Sequence, residues 1–228
     1  MRWLFFALLG LGFILASAAC GHSRQAAGAT PVEFRTTDGI GLHGDSYGSG
    51  GRWVVLVNDQ GQDSRAWESV VQELLGDGYR VLTFDLRGYG DSGGDPSEGK
   101  APVDVSAALA FARSRGARSL FLVGAGGGAT AALVAAGSED IDAIVVFSPR
   151  AELAGVAKDR IRDTRAPKLV VVGWLDYRAA EEATSVYTRV IGWKLFLSLP
   201  VEVEGTDLLA SALGPQARGH LLQFLRSY

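Results

Sequence analysis

The sequence is poor in the residues that most protein chemistry uses. It has one cysteine, Cys20, so no internal disulfide exists. Its three histidines, His22, His43 and His220, stand far apart. His22 lies near Cys20, but two ligands are too few for a metal site, and no metal or cofactor is expected. No stretch of clustered Lys and Arg is present and the net charge is −3, which argues against a nucleic-acid partner. The acidity is too mild for an acidic tail or a dedicated polycation partner. Internal repeats are absent.

What the chain has is apolar surface: 47% of 228 residues, enough for one large core plus an appendage. In residues 1–19 Arg2 is the one charge, and an apolar run ends in small residues, as in a secretory signal peptide. Ala16-Ser-Ala18 fits an ordinary cleavage site. Ser17-Ala-Ala-Cys20-Gly21 resembles a bacterial lipobox, with Ser17 where Leu or Val is usual, and makes Cys20 the expected lipidation site. The expectation is an exported, membrane-anchored lipoprotein, the alternative a secreted or periplasmic protein. Residues 20–31 are small and polar and read as a flexible tether. Residues 32–228 form the expected folded domain.

Residues 32–36 and 40–47 alternate around Asp38-Gly39, a hairpin signal. Apolar runs at residues 53–57 and 141–147 read as strands buried on both faces, and those at 79–84, 120–123, 168–172 and 193–199 read as further strands. Between them, helical spacing marks residues 67–75, 103–115, 129–136 and 179–190, with a further helix expected within 152–165 and a last one opened by Pro215. Strands alternating with helices at short spacing imply a mostly parallel twisted sheet covered on both faces.

The most informative stretch is Leu122-Val-Gly-Ala-Gly-Gly-Gly-Ala129, a strand, a tight glycine turn and a helix start. Its spacing is that of a nucleophile elbow, Gly-x-Ser-x-Gly, but the middle position is Gly126. Together with Asp85-Leu-Arg-Gly-Tyr-Gly-Asp-Ser92 and Leu169-Val-Val-Val-Gly-Trp-Leu-Asp176, it resembles the α/β-hydrolase superfamily. The resemblance implies an α/β-hydrolase fold with an antiparallel N-terminal hairpin. The gap between Ser148 and Lys168 is too short for a lid domain. It also implies that Asp85, Arg87, Gly88, Gly90 and Ser92 are architectural, and that Asp176 is the retained triad acid. Glu204 stands where the family places its histidine, and Asn58-Asp59 replaces the usual oxyanion-side His-Gly.

A triad hydrolase needs a nucleophile, a histidine base and an orienting acid. In a known serine protease, losing the nucleophile costs about a millionfold in turnover. With Gly126 and Glu204 at two of three places, the expectation is a catalytically inactive protein that binds a small ligand or a protein partner. Asn58, Asp59, Gly127 and Trp174 are the candidate oxyanion or ligand-binding residues. Ser64 and Ser92 have no visible base, and His220 reads as a surface or packing residue. One alternative is an esterase- or peptidase-like hydrolase with a relocated or carboxylate-based site built from Asp59, Asp176 and Glu204. The other is dinucleotide binding, since Gly124-Ala-Gly126-Gly-Gly-Ala129 fits Gly-x-Gly-x-x-Ala. The place for its ribose-binding acid reads Phe147-Ser-Pro-Arg150, where Arg150 could suit a 2′-phosphate.

Overall fold

The structure is a computed structural model and describes residues 28–228. Residues 1–19 and Cys20, read above as signal peptide and lipidation site, lie outside the described residues. The chain runs β1 (Ala29–Arg35), β2 (Gly41–Tyr47), β3 (Arg52–Val57), α1 (Glu68–Gly76), β4 (Arg80–Phe84), α2 (Ala101–Ser114), β5 (Ser119–Ala125) and α3 (Gly126–Ala135). It continues through β6 (Ala143–Phe147), β7 (Lys168–Gly173), α4 (Tyr177–Arg189), β8 (Lys194–Leu199), α5 (Asp207–Ala210) and α6 (Gly214–Arg226). β1 starts at Ala29, within the end of the stretch read as tether. Among the described residues no helix is long and apolar enough to cross a membrane.

All eight strands form one sheet in the order β1-β2-β4-β3-β5-β6-β7-β8. β1, β2 and β4 pair antiparallel, and every pair from β4 to β8 is parallel. This is the α/β-hydrolase architecture with its antiparallel N-terminal hairpin. β3, β5, β6 and β7 are almost wholly buried, because helices cover both faces of the sheet. One apolar cluster packs α2, α3 and α4 on one face, and a second packs α1 and α6 on the other.

Between β6 and β7 the expected helix is absent. Residues 152–165 form turns with one short 3-10 segment, Arg160–Arg162. Gly155, at φ +76°, breaks any helix there, and Leu153 and Ile161 are buried without a continuous helical face. No lid domain occupies this gap. Trp53 and Trp67 are core residues, whereas Trp174 and Trp193 are about half exposed.

The β4–α2 connection is pinned by charge. The buried Arg87 guanidinium donates to Asp104 Oδ1 through Nε at 2.9 Å and Nη2 at 2.6 Å, and to both Asp38 oxygens at 2.8 and 3.0 Å. Asp85 Oδ1 accepts the Ser64 N–H at 2.9 Å. Ser92 Oγ donates to the Asp85 carbonyl at 2.6 Å and accepts the His43 N–H. Gly88 and Gly90 turn at φ +75° and +52°, where a side chain would strike Pro96 or the Asp85 carboxylate. The motif is therefore architectural, as the resemblance implied. At the other end of the sheet Lys168 is fully buried, and its Nζ donates to the Ala166 and Ile191 carbonyls. Burial pushes its pKa down to about 8, and Lys194 adds to the shift. Lys168 thereby fixes the turn that launches β8.

Candidate functional site

The elbow keeps its backbone and has lost its side chain. β5 ends at Ala125, Gly126 takes φ +54°, and α3 begins at once. An ordinary residue is strained at that φ, and a nucleophile elbow holds its nucleophile there. Gly124 and Gly128 are needed for close approach. A Cβ on Gly124 would strike the Ala129 backbone, and one on Gly128 would strike the Asn58 carbonyl.

The vacated space is filled from the β3–α1 loop. A Cβ built on Gly126 would come closer than 3.0 Å to all three terminal atoms of the Asp59 carboxyl group. Asp59 Oδ1 accepts the Gly127 N–H at 2.7 Å and the Gln60 N–H at 2.8 Å. Gly127 is the residue after the nucleophile position, and its N–H is one that the elbow offers to an oxyanion. Arg150, just past β6, donates to Asp59 Oδ2 at 3.2 Å, and its guanidinium lies 3.9 Å from Glu98. Thr130 Oγ1 donates to the Arg150 carbonyl at 2.7 Å and so ties this loop to α3. The Asp59 carboxylate thus sits where a reacting acyl group would place its oxyanion. Any negative charge developing there would meet a like charge.

The other sequence candidates lie at the same edge of the sheet but do not assemble into a triad. Asp176 caps α4, with Oδ1 accepting the Ala179 N–H at 3.0 Å. Glu204 accepts from Arg178 at 2.7 Å, and Arg178 also binds Glu182. The nearby negative charge of Glu204, with Glu182 adding to it, pushes the Arg178 pKa up. Asn58 is buried, its Nδ2 donates to the Gln62 carbonyl, and its Oδ1 has no hydrogen-bond partner. Trp174 is exposed at the end of β7. Among the described residues no imidazole is bonded to Asp59, Asp176 or Glu204: His43 lies in β2, beside Asp85, and His220 lies in α6, while His22 falls outside the described residues. Among the described residues no group of three His, Cys, Asp or Glu could hold a metal.

For a dinucleotide the glycine turn is equally full, since the Gly127 N–H is taken by Asp59. Gln62 and Thr206 join the β3–α1 loop to the loop after β8 through a 3.0 Å hydrogen bond. An open hollow of about 750 Å³ lies beyond that bond, lined in part by Gln62, Asp63, Glu68, Thr206 and Asp207. It lies beside the elbow and does not reach Gly126 or Asp59. Sequence reasoning did not foresee Gln60, Arg150 and Arg178 as partners of the site carboxylates. Arg150 gave a signal, a lone arginine at a strand end next to the elbow, and it was read toward a phosphate.

With this geometry, the comparisons with known proteins are unambiguous about class. A family model described as the alpha/beta hydrolase family matches residues 54–224, and the chain belongs to that family. No curated protein matches it in sequence. Solved structures share its fold. An esterase of Pyrococcus furiosus, Pf2001, superposes with TM-score 0.73 at 19% identity, over 88% of this chain and 91% of that one. The esterase Est1E of Butyrivibrio proteoclasticus, solved with ferulic acid bound, gives TM-score 0.71 at 16% identity, over 86% and 98%. An esterase of Thermogutta terrifontis gives 0.68 at 18% identity, over 87% and 99%.

Proposed function

We propose that this protein is an exported, non-hydrolytic member of the α/β-hydrolase family that binds a small ligand or a protein partner. The observation that carries the reading is the Asp59 carboxylate in the nucleophile space of the elbow, satisfied by Gly127, Gln60 and Arg150. The missing nucleophile, the missing base and the filled oxyanion position are three independent obstacles to acyl transfer. The triad acid has a structural reason to persist without chemistry, as the N-cap of α4. Export and a lipid at Cys20 rest on the N-terminal sequence alone. The hollow between the β3–α1 loop and the loop after β8 is the favoured place for a ligand, because it is open while the elbow is filled.

Carboxylate-based hydrolysis has one point in its favour, that the Asp59 carboxylate stands in the nucleophile's place. Against it, both Asp59 oxygens accept hydrogen bonds, and Asp176 and Glu204 are each engaged elsewhere. Restoring the nucleophile separates a sealed site from one that lacks a single residue. Purified Gly126→Ser is expected to turn over no short-chain aryl ester while Asp59 and Glu204 remain. Turnover by that variant would mean that the elbow is neither blocked nor without a base.

A further inference from the structure

Exposed apolar surface gathers at one edge of the molecule. Of the large apolar side chains left exposed among the described residues, all but Trp174 and Tyr177 crowd around β8: Ile191, Trp193, Leu195, Phe196 and Tyr228. Trp193 stacks on Phe224 of α6 with ring centroids 5.9 Å apart, and Tyr228 packs edge-on against both. β8 ends the sheet, so one of its sides pairs with β7 and the other faces outward. Natural edge strands are usually protected by charge or proline. β1, at the opposite edge, carries Pro31, Glu33 and Arg35. β8 reads Lys-Leu-Phe-Leu-Ser-Leu, with no proline and one charge, Lys194, whose Nζ is turned back to the Tyr187 and Val190 carbonyls.

The backbone fixes which groups are free. Lys168 N–H donates to the Trp193 carbonyl and Trp174 N–H to the Leu199 carbonyl, so odd-numbered residues of β8 turn toward β7. Alternation leaves the N–H and C=O of Lys194, Phe196 and Ser198 facing outward. The Lys194 carbonyl is approached there by the Tyr187 hydroxyl at 3.5 Å.

We propose that β8 is a homodimer interface, in which two copies pair β8 antiparallel about a two-fold axis through Phe196. A two-fold normal to the sheet keeps each face on its own side, so opposed residues must have the same parity. An axis through Phe196 sets Phe196 against itself and Lys194 against Ser198. All three outward residues then exchange bonds, about six in total. Moving the axis to Leu197 would set Lys194 against Pro200, which has no N–H to give. On the α6 face the Phe196 axis sets Leu195 against the partner's Leu197. The exposed patch offers roughly 400 Å² of apolar surface per copy, taking about 150–250 Å² for a whole aromatic side chain. That suits the apolar part of a standard interface of about 800 Å² per partner.

Light scattering after size exclusion, on the full chain and on a chain lacking residues 1–19, is expected to give twice the chain mass in both. Phe196→Lys and Ser198→Pro are each expected to halve that mass with an unchanged circular dichroism spectrum. The Ser198 N–H faces away from β7, so proline there removes no ladder bond within its own protomer. Oxidised Phe196→Cys in a Cys20→Ser background should give a covalent dimer, since opposed residues at a bonded pair lie about 5.5 Å apart. A monomeric wild type, a dimer that survives both substitutions, or a dimer only in chains that carry residues 1–19 would overturn the proposal.

Discussion

Arg87→Met is expected to destabilise the fold by about 3–5 kcal/mol, because it strands a fully buried carboxylate without its partner. For a domain of this size that is a melting point lower by roughly 10 °C. Asp104 is the residue left behind. Burial already pushes its pKa up, against the pull of Arg87, and removing the guanidinium removes that pull. A carboxyl whose folded pKa lies above its unfolded value binds more protons when folded, so the fold gains stability as pH falls toward 3.8. The deficit of Arg87→Met should therefore narrow in mild acid, which chemical denaturation at several pH values would read. Asp38 moves the other way. Arg87 holds it below the usual carboxylate range, and the stability this gives is present above pH 3.8 and lost below it. Arg87→Met/Asp104→Leu should recover part of the loss at neutral pH, since it leaves no buried charge but strands the residue 87 backbone N–H, which donates to Asp104 Oδ2 at 3.0 Å.

Gly126→Ser is expected to cost about 2–5 kcal/mol, from two sources. A side chain at φ +54° costs about 1–2 kcal/mol. Displacing the Asp59 carboxyl group, which the new Cβ would overlap, adds about 1–3 kcal/mol of overpacking. Only the second source depends on Asp59. Asp59→Ala removes the three atoms nearest the new Cβ, so the two substitutions together should cost less than the sum of each alone, by about 1–3 kcal/mol. Denaturant titration of wild type, both single variants and the double variant measures this coupling. Strict additivity would mean that the Asp59 carboxylate does not occupy the nucleophile's space in solution.

Much of the scaffold was legible in the chain, for a physical reason. Strands buried on both faces must be apolar throughout, and residues 53–57, 120–123, 141–147 and 168–172 announce themselves in that way. The loss of a nucleophile at Gly126 was legible too, because a turn with strict conformational demands fixes its neighbours. The stretch 152–165, a short polar connection, was misread as a helix, which Gly155 at φ +76° forbids. What fills the elbow was not legible. Asp59 meets Gly127 across 68 positions and Arg150 across 91, and Glu204 meets Arg178 across 26. Those contacts depend on the packing of loops at the carboxyl edge of the sheet, and no local periodicity records them. Asp176 shows the same limit, since the strand-end position that suits a triad acid also suits a helix cap.

The most direct test of a sealed, non-hydrolytic elbow is the turnover of short-chain aryl esters by the purified wild-type protein, with Asp176→Ala measured beside it. The expected result is a rate indistinguishable from buffer for both proteins. Saturable turnover by the wild type that Asp176→Ala abolishes would contradict it.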